Sequence, residues 1–200
     1  GVWQIKWELE DLSFRFIEPD TYKRIAKMLD ERRVEREQFI RDSIERLKSE
    51  LAAVGIEAEI TGRAKHIYSI YNKMRKKRLD FSQVFDIRAL RVLVPEIKDC
   101  YTVLGIVHQM WQPIAKEFDD YITKPKGNNY QSLHTAVMAA DGRALEVQIR
   151  TFDMHKHAEL GVAAHWRYKE GARQGGAYDA KIALLRSLLS WRDEVTDAAH

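Results

Sequence analysis

The sequence predicts an α+β or α/β layer fold with a mixed sheet. Apolar residues recur at helical spacing in some segments, whereas β-branched residues, some in strict alternation, fill others. The predicted helical segments are 1–51, 65–77, 98–111, 152–169 and 178–192. The predicted strands are 56–60, 85–94, 131–138 and 144–150. Because the two kinds of element are interspersed, helices and strands are expected to pack as layers of one domain.

Composition excludes several classes of protein. The 200 residues are 45% hydrophobic and 32% charged, which is typical of a globular domain and not of a disordered chain. The net charge of +3 is too small for a dedicated duplex-DNA binder. No apolar run is long enough to span a membrane, and the single cysteine, Cys100, fits a reducing, cytoplasmic location. The first residues are polar and helix-like without a signal sequence, so we expect a piece of a longer protein.

Breaks in the pattern predict the element boundaries in order. Pro19-Asp20 begins a helix, Gly55 ends the helical N-terminal part, and Gly62 separates the strand 56–60 from the next helix. Pro95 closes the buried strand 85–94, and the polar segment 116–129 reads as a loop. We therefore expect three parts: a helical segment 1–51, a catalytic domain 52–170, and a linker with a C-terminal helix, 171–200.

The helix after Gly62 has two distinct faces. The residues Ile67, Ile70, Tyr71 and Met74 have the spacing of a core stripe. Lys65, Ser69 and Lys73 form a second stripe near the helix start, where free backbone N–H groups also attract anions. This stripe suits a phosphate chain, although an ordinary solvated helix face is an equal alternative from the spacing alone. The basic residues between Arg63 and Arg78 form a wider cluster, which is compatible with a polyanion site.

The strand 144–150 alternates strictly between apolar and polar residues. Leu145, Val147 and Ile149 are predicted to face the core, and Glu146, Gln148 and Arg150 to face a cleft. Asp86, at the start of the strand 85–94, can reach the same cleft. Two carboxylates on neighbouring strands suit Mg²⁺, with salt bridges as the alternative role for each acid.

Hairpin geometry adds a constraint on the turn at Asp141-Gly142. A two-residue turn would pair positions summing to 283 and put His134 and Glu146 on opposite faces of the sheet. We therefore expect a three- or five-residue loop, or a bulge, between the strands if both residues face the cleft.

The loop before residue 131 carries a set of groups that suits a nucleotide. Tyr130 lies beside Lys126, Asn128 and Gln131, which combines an aromatic ring with an ammonium and amides. A core role for Tyr130 is the alternative. The histidines 155, 157 and 165 are not expected to bind zinc, since the chain has one cysteine and no HExxH motif.

Five motifs in order and in register resemble the synthetase domain of the long RelA/SpoT proteins of the stringent response, in their RelA-type form. They are GRAKHIYSIYNKM (62–74), FDIRALRVLV (85–94), EFDDYITKPKGNNYQSLHT (117–135), EVQIRT (146–151) and MHKHAELGVAAHWRYKEG (154–171). The resemblance implies a mixed five-stranded sheet flanked by helices, similar to the polymerase-β nucleotidyltransferases. It implies a GTP/GDP pyrophosphokinase that moves the β,γ-diphosphate of ATP to the 3′-hydroxyl of GDP or GTP and releases AMP.

The resemblance also implies a role for each site residue. Arg63 and Arg91 would sandwich the adenine of ATP, and Lys65, Ser69 and Lys73 would hold its phosphates. Asp86 and Glu146 would bind Mg²⁺, and Glu146 would also engage the acceptor hydroxyl as base or hydrogen-bond acceptor. Tyr130 would stack on guanine, Asn128 would read its edge, and Lys126 would neutralise acceptor phosphates. The remaining residues of the cleft floor would be His134, Gln148 and Arg150.

Asn129 departs from the family pattern, which has glycine immediately before the tyrosine. Asparagine tolerates a left-handed backbone, so we expect the turn to survive. Ribosome and tRNA association is implied only for domains outside this chain. Two alternatives to the enzyme remain open: a catalytically silent nucleotide sensor, and a ribosome- or RNA-binding module that uses the basic run 73–78.

The segment before the acceptor loop is acidic: Glu117, Asp119 and Asp120. Bifunctional relatives are expected to carry Arg-x-Lys-Asp here, and RelA-type synthetases Glu-x-Asp-Asp. Replacing two cations by two anions changes the charge by four units beside a polyphosphate site. We therefore predict a preference for GDP over GTP, with a steep dependence on Mg²⁺. The alternative is a solvated acidic loop with no role in acceptor choice.

Overall fold

The computed structural model describes residues 2–63, 65–80, 88–127 and 129–159, with side chains from residue 7 onward. Three helices come first: α1 (Val2–Ile17), α2 (Pro19–Glu31) and α3 (Arg33–Ala53). They are followed by β1 (Glu59–Gly62), α4 (Ile67–Lys77), β2 (Arg88–Val94) and α5 (Ile97–Met110). The described part continues with β3 (Gln112–Pro113), β4 (Asp119–Asp120), β5 (Leu133–Met138) and β6 (Ala144–Thr151), and residues 152–159 are helical.

The strands form one mixed sheet with β6 near its centre. Its order is β1-β2-β6-β5-β3, and β4 also pairs with β5. The β2–β6 pair is parallel, whereas the other pairs are antiparallel. The predicted mixed sheet flanked by helices is confirmed along its five-strand path. The two residues of β4 add a sixth strand inside the segment that was expected to be a loop.

Two separate hydrophobic cores hold the helices in place. The larger core packs Leu47 and Leu51 of α3 and Val103 and Val107 of α5 against one face of the sheet. The smaller core joins the first two helices to α4 through Phe14, Ile25 and Ile70, with Ile67, Tyr71 and Met74 packed around them. The predicted core stripe of α4 is therefore confirmed. No helix in the described ranges is long and apolar enough to cross a membrane.

The first strand begins three residues later than the alternation of 56–60 suggests. Gly55 has a φ of 75°, and the backbone N–H of Ile56 donates to the carbonyl oxygen of Leu51 over 3.0 Å. Ile56 therefore closes the end of α3 and packs on the larger core. The other predicted boundaries agree to within a few residues where they are described. The segments 160–169, 171–176 and 178–192 lie outside the described residues.

The hairpin between β5 and β6 has the loop that the parity argument requires. Cα partners such as His134 and Gln148, or Ala136 and Glu146, sum to 282. Ala139 donates its N–H to the carbonyl of Arg143 over 2.9 Å, so residues 140–142 form a three-residue loop. Gly142 has a φ of 76°, the left-handed conformation that such a loop needs. His134 and Glu146 consequently project from the same face of the sheet.

Candidate active site

One face of the sheet carries the polar residues, and strand register aligns them. Gln148 of β6 pairs with Arg91 of β2 on one side and with His134 of β5 on the other. The row extends to Thr61 of β1 and to Asp119 of β4. The apolar partners Leu145, Val147 and Ile149 point to the other face and are 1% exposed or less. The predicted division of β6 into a core face and a cleft face is confirmed.

Glu146 is held between two lysines of the α4 segment. Lys65 Nζ lies 2.5 Å from one carboxylate oxygen of Glu146, and Lys73 Nζ lies 2.6 Å from the other. All three side chains are between 25% and 28% exposed, so water screens these contacts only in part. Burial alone would raise the pKa of Glu146, but the charges and hydrogen bonds of the two lysines outweigh it and lower the pKa to about 2. Glu146 is therefore ionised at neutral pH.

Two ammonium groups and one carboxylate leave this group with one positive charge. Each ammonium group has three N–H donors, so Lys65 and Lys73 can bind phosphate either beside Glu146 or after they leave it. A carboxylate oxygen that a lysine leaves becomes available to a hard cation such as Mg²⁺. The donor set of Glu146 fits that metal, whereas the second expected ligand, Asp86, lies outside the described residues.

A chain of hydrogen bonds crosses the cleft floor. Arg91 Nε donates to Gln148 Oε1 over 2.8 Å, and Gln148 Nε2 donates to the hydroxyl of Tyr130. The same hydroxyl lies 2.9 Å from His134 Nε2. Tyr130 therefore belongs to the cleft through its hydroxyl, and the alternative of a plain core aromatic does not describe it.

The cleft around this chain is rich in cations. It has a volume of about 220 Å³ and is lined by Arg63, Arg91, Lys126, Tyr130, His134, Gln148 and Arg150, together with Trp7, Ala158 and Glu159. Burial and the charges of Arg150 and Arg63 lower the pKa of Arg91 to about 10. Burial, followed by Arg63 and Lys126, lowers the pKa of His134 to about 4. Cations that depress one another's pKa in this way attract an anionic ligand.

A second cavity adjoins the first at Arg63. Its volume is about 480 Å³, and its walls include the complete stripe of Lys65, Ser69 and Lys73. The opposite wall comes from α3 and includes Arg36 and Arg41, which the sequence analysis did not select. They are five positions apart, about 140° around α3, so they form no stripe and the sequence contains no signal for them.

The pair expected to sandwich adenine is divided between the two cavities. Arg63 lines both, whereas Arg91 lines only the smaller one, beside Tyr130. Arg63 is connected to β2 by its backbone N–H, which donates to the carbonyl of Ala89 over 2.9 Å. The sandwich stays a prediction, with its base near the boundary of the two cavities.

The loop between β4 and β5 brings the ammonium group of Lys126 close to two aromatic rings. Lys126 Nζ lies 4.4 Å from the ring centre of Tyr121 and 5.8 Å from that of Tyr130. The φ of Asn129 is 60°, so this residue adopts the left-handed conformation expected of it. Gln131 turns away and donates to the carbonyl of Ile122 over 3.3 Å. Asn128 lies outside the described residues.

The acidic segment divides into three different environments. Glu117 forms an exposed ion pair with Lys77 at 3.1 Å, and Asp119 pairs with His134 across the sheet. Asp120 accepts hydrogen bonds from the backbone N–H groups of Ile122 and Thr123. Its carboxylate also accepts from the hydroxyls of Tyr101 and Thr123. Asp120 therefore stabilises its own turn, which leaves Glu117 and Asp119 as the candidates for the predicted role in acceptor choice.

The basic run 73–78 is not a single free patch. Lys73 contacts Glu146, Lys77 contacts Glu117, and the Arg75 guanidinium carbon lies 5.6 Å from the ring centre of Tyr71. Several charges of the run are thus directed into the domain. Of the three histidines, His155 contacts Arg150 at 2.7 Å, and His165 lies outside the described residues. No group of three potential metal ligands from His, Cys, Asp and Glu occurs within the described ranges.

Comparisons with known proteins agree with this architecture. A family model described as "Region found in RelA / SpoT proteins" matches residues 62–173. The GTP pyrophosphokinases of Photobacterium angustum and Escherichia coli K12 are each 52% identical to the chain over 203 residues. The alignments cover 100% of this chain and 27% of each relative, so the chain spans little more than a quarter of their length.

A solved structure has the same fold. The small alarmone synthetase 1 of Bacillus subtilis, bound to its product pppGpp, aligns with a TM-score of 0.54 at 22% identity. The alignment covers 85% of this chain and 99% of that one. Since the family model covers more than half of the sequence, from residue 62 to residue 173, the chain belongs to the family that carries the region found in RelA / SpoT proteins.

Proposed function

We propose that the domain is a (p)ppGpp synthetase that transfers the β,γ-diphosphate of ATP to the 3′-hydroxyl of GDP or GTP. The observation that carries the proposal is a pair of cation-lined cavities that share Arg63. Glu146 connects the two, because lysines of the larger cavity bind it and its strand, β6, forms the floor of the smaller one. Two anionic substrates can thus lie side by side. The names of the relatives at 52% identity support the same reaction.

The transfer exchanges one oxygen–phosphorus bond for another. The acceptor 3′-oxygen forms a bond to the β-phosphorus of ATP, and the bond from that phosphorus to the oxygen bridging to the α-phosphate breaks. AMP leaves with the bridging oxygen, and the acceptor hydroxyl loses its proton. Positioning and charge neutralisation supply most of the catalysis in such reactions.

The cavity with the lysine stripe suits the donor nucleotide. Lys65, Ser69 and Lys73 would bind the ATP phosphates. Arg63 and Arg91 would sandwich the adenine at the boundary of the two cavities. Mg²⁺, held by Glu146 and Asp86, would offset phosphate charge during the transfer. Glu146 would also accept a hydrogen bond from the acceptor 3′-hydroxyl.

The basicity of Glu146 depends on where the lysines are. Next to both ammonium groups its pKa is about 2, which makes the carboxylate a poor proton acceptor. When the phosphates take up the lysines, Glu146 would remain beside a cation if it holds Mg²⁺, so its carboxylate would stay ionised. Glu146 would therefore act mainly as a hydrogen-bond acceptor for the acceptor hydroxyl, and it would be most accessible after ATP has drawn the lysines away.

The smaller cleft suits the guanine nucleotide. Tyr130 would stack on the base, Asn128 would read its edge, and Lys126 would neutralise the acceptor phosphates. Asp119 is paired with His134 in the sheet, and Glu117, two residues earlier, forms an ion pair with Lys77. These two anions would disfavour the additional charge of GTP, so GDP is the preferred acceptor.

A product assay tests the proposal directly. The chain is incubated with Mg²⁺, ATP labelled in its γ-phosphate and either GDP or GTP, and the nucleotides are resolved. We expect AMP and labelled guanosine tetra- or pentaphosphate in equal amounts. Glu146→Gln should abolish the product, whereas Glu57→Gln, the same change at an exposed residue before β1, should leave it unchanged.

Two other outcomes identify the alternatives. Binding of both nucleotides without AMP release would point to a catalytically silent sensor. AMP and free pyrophosphate, without a labelled guanosine product, would mean that water and not the guanine nucleotide accepts the diphosphate. A ribosome- or RNA-binding module has less support, because Lys73 and Lys77 of the basic run pair with acids of the domain itself.

A further inference from the structure

We propose that Gln148 is a positioning residue that couples the donor and acceptor subsites, by passing a directed hydrogen-bond chain from Arg91 through Tyr130 to His134. The proposal rests on the function proposed above, in which Arg91 contacts ATP and Tyr130 contacts the guanine nucleotide. It adds that the two nucleotides promote each other's binding through the amide of one buried side chain.

The direction of the chain follows from the donor at its start. A guanidinium can only donate, so the Gln148 atom facing Arg91 Nε must be the carbonyl oxygen. The amide nitrogen then faces Tyr130 and donates to its hydroxyl oxygen.

The Tyr130 hydroxyl accepts from the Gln148 amide, and its own proton can be donated to His134 Nε2, which lies 2.9 Å away. An accepting Nε2 requires a neutral imidazole with its proton on Nδ1. The lowered pKa of His134, caused first by burial, agrees with this form. The two links from Arg91 to Tyr130 thus have a fixed orientation, because a reversed Gln148 amide would turn its NH₂ group towards the Arg91 guanidinium.

Gln148 is suited to be the pivot because it cannot move independently. The residue is 3% exposed and lies on a strand that is hydrogen-bonded on both sides. Arg91 and His134 are its direct Cα partners on β2 and β5. The ends of the chain, by contrast, point into the cleft, where ligands can fix or displace them.

Coupling follows from this arrangement. A donor nucleotide that fixes the guanidinium of Arg91 also fixes the Gln148 amide, and hence the hydroxyl of Tyr130. The acceptor base then finds its aromatic ring already oriented and loses less conformational freedom on binding. By thermodynamic linkage the acceptor must favour donor binding by the same factor.

Binding of a fluorescent GDP derivative, with and without α,β-methylene-ATP and at fixed Mg²⁺, tests the coupling. The methylene analogue cannot undergo cleavage of the bond that the reaction breaks. For the parent chain we expect the analogue to tighten GDP binding by about fivefold or more, within the usual range of coupling. In Gln148→Met, which keeps the length of the side chain but removes both polar groups, the ratio should fall close to one.

A matched control and a second variant make the result specific. Gln131→Met is the same change in an amide that bonds the Ile122 carbonyl and lies outside the chain, and it should keep the parent ratio. Tyr130→Phe keeps the aromatic ring but removes the hydroxyl, so it should lose the ratio as Gln148→Met does. This second variant serves as the test if Gln148→Met does not fold.

Nitrogen-15 chemical shifts of His134 supply a readout that a merely structural role would not move. The parent chain should contain the Nδ1–H tautomer, and Tyr130→Phe should shift the population towards Nε2–H. An unchanged coupling ratio in Gln148→Met or in Tyr130→Phe would overturn the proposal, as would a parent chain that binds both nucleotides without coupling. A parent chain that binds neither nucleotide would instead refute the proposed function, and the coupling with it.

Discussion

The ion pairs of Glu146 make its replacement a test of both stability and chemistry. From the sequence, Glu146 is not a core residue, and Glu146→Gln is expected to cost about 1–2 kcal/mol. The two lysine contacts, at 2.5 Å and 2.6 Å, raise that expectation. A pKa lowered from 4.5 to about 2 means that the charged form is favoured over a neutral one by about 3 kcal/mol. Glutamine resembles the neutral form, so we expect a loss of about 3 kcal/mol at pH 7.

The pH dependence gives this prediction its sign. The folded pKa of Glu146 lies below the unfolded one, so the unfolded chain takes up a proton first as the pH falls. The stabilisation is fully present above pH 4.5 and is lost as the pH falls towards 2. The difference between the parent and Glu146→Gln should therefore be largest at pH 7 and smaller by about 1–1.5 kcal/mol at pH 3.5.

Urea unfolding followed by circular dichroism at both pH values measures this difference. Glu57→Gln, at an exposed glutamate, is the control and should unfold like the parent at each pH. A variant as stable as the parent at pH 7 would refute the reasoning, because the lysines would then not be bound to Glu146 in solution. A loss of the same size at both pH values would refute it too, since the ionised carboxylate would not be the cause.

Further predictions concern the acceptor side and its supports. Tyr130→Ala should weaken guanine nucleotide binding by about 1–3 kcal/mol while ATP binding changes little; equal losses for both in calorimetry would mean that Tyr130 supports the fold instead. The double change Glu117→Arg with Asp119→Lys should shift kcat/KM from GDP towards GTP across a Mg²⁺ titration, and an unchanged ratio would remove these residues from acceptor choice. Asp120→Ala should lower the free energy of unfolding by about 1–2 kcal/mol with the GDP/GTP ratio intact, because its carboxylate accepts hydrogen bonds within its turn. The free energy of unfolding of His134→Phe should depend less on pH than that of the parent between pH 6.5 and 4. In this range the unfolded parent chain protonates this histidine while the folded chain keeps it neutral, so the stability of the parent falls as the pH falls.

Local sequence patterns predicted most of the features that depend on a single strand or hairpin. The alternation of β6 specified both of its faces, because side chains alternate along a strand irrespective of its neighbours. The parity of His134 and Glu146 excluded a two-residue turn for the same reason, and it left a three-residue loop, a five-residue loop or a bulge. The predicted start of β1 was wrong by three residues. Ile56 packs on the larger core at the end of α3 and does not pair in the sheet.

Contacts between distant segments could not be read in this way. Lys65 and Glu146 are 81 positions apart, and nothing in either motif indicates that they bind each other in the absence of substrate. The same holds for Arg36 and Arg41, which line the larger cavity because α3 forms part of its wall. The chain from Arg91 to His134 depends on strand order, which the sequence analysis left open. The expected roles of Asp86 and Asn128 stay predictions.

The central position of β6 has a consequence for local motion. Backbone amides of a strand paired on both sides exchange with solvent mainly when the whole domain unfolds, whereas loop amides exchange through small local openings. Glu146 and Gln148 lie on such a strand, and Tyr130 lies on a loop. The groups proposed for chemistry should thus be among the slowest to exchange, and the residue proposed to recognise guanine among the faster ones. Substitutions in the loop can alter nucleotide preference at little cost to global stability, whereas changes on β6 act on chemistry and folding together.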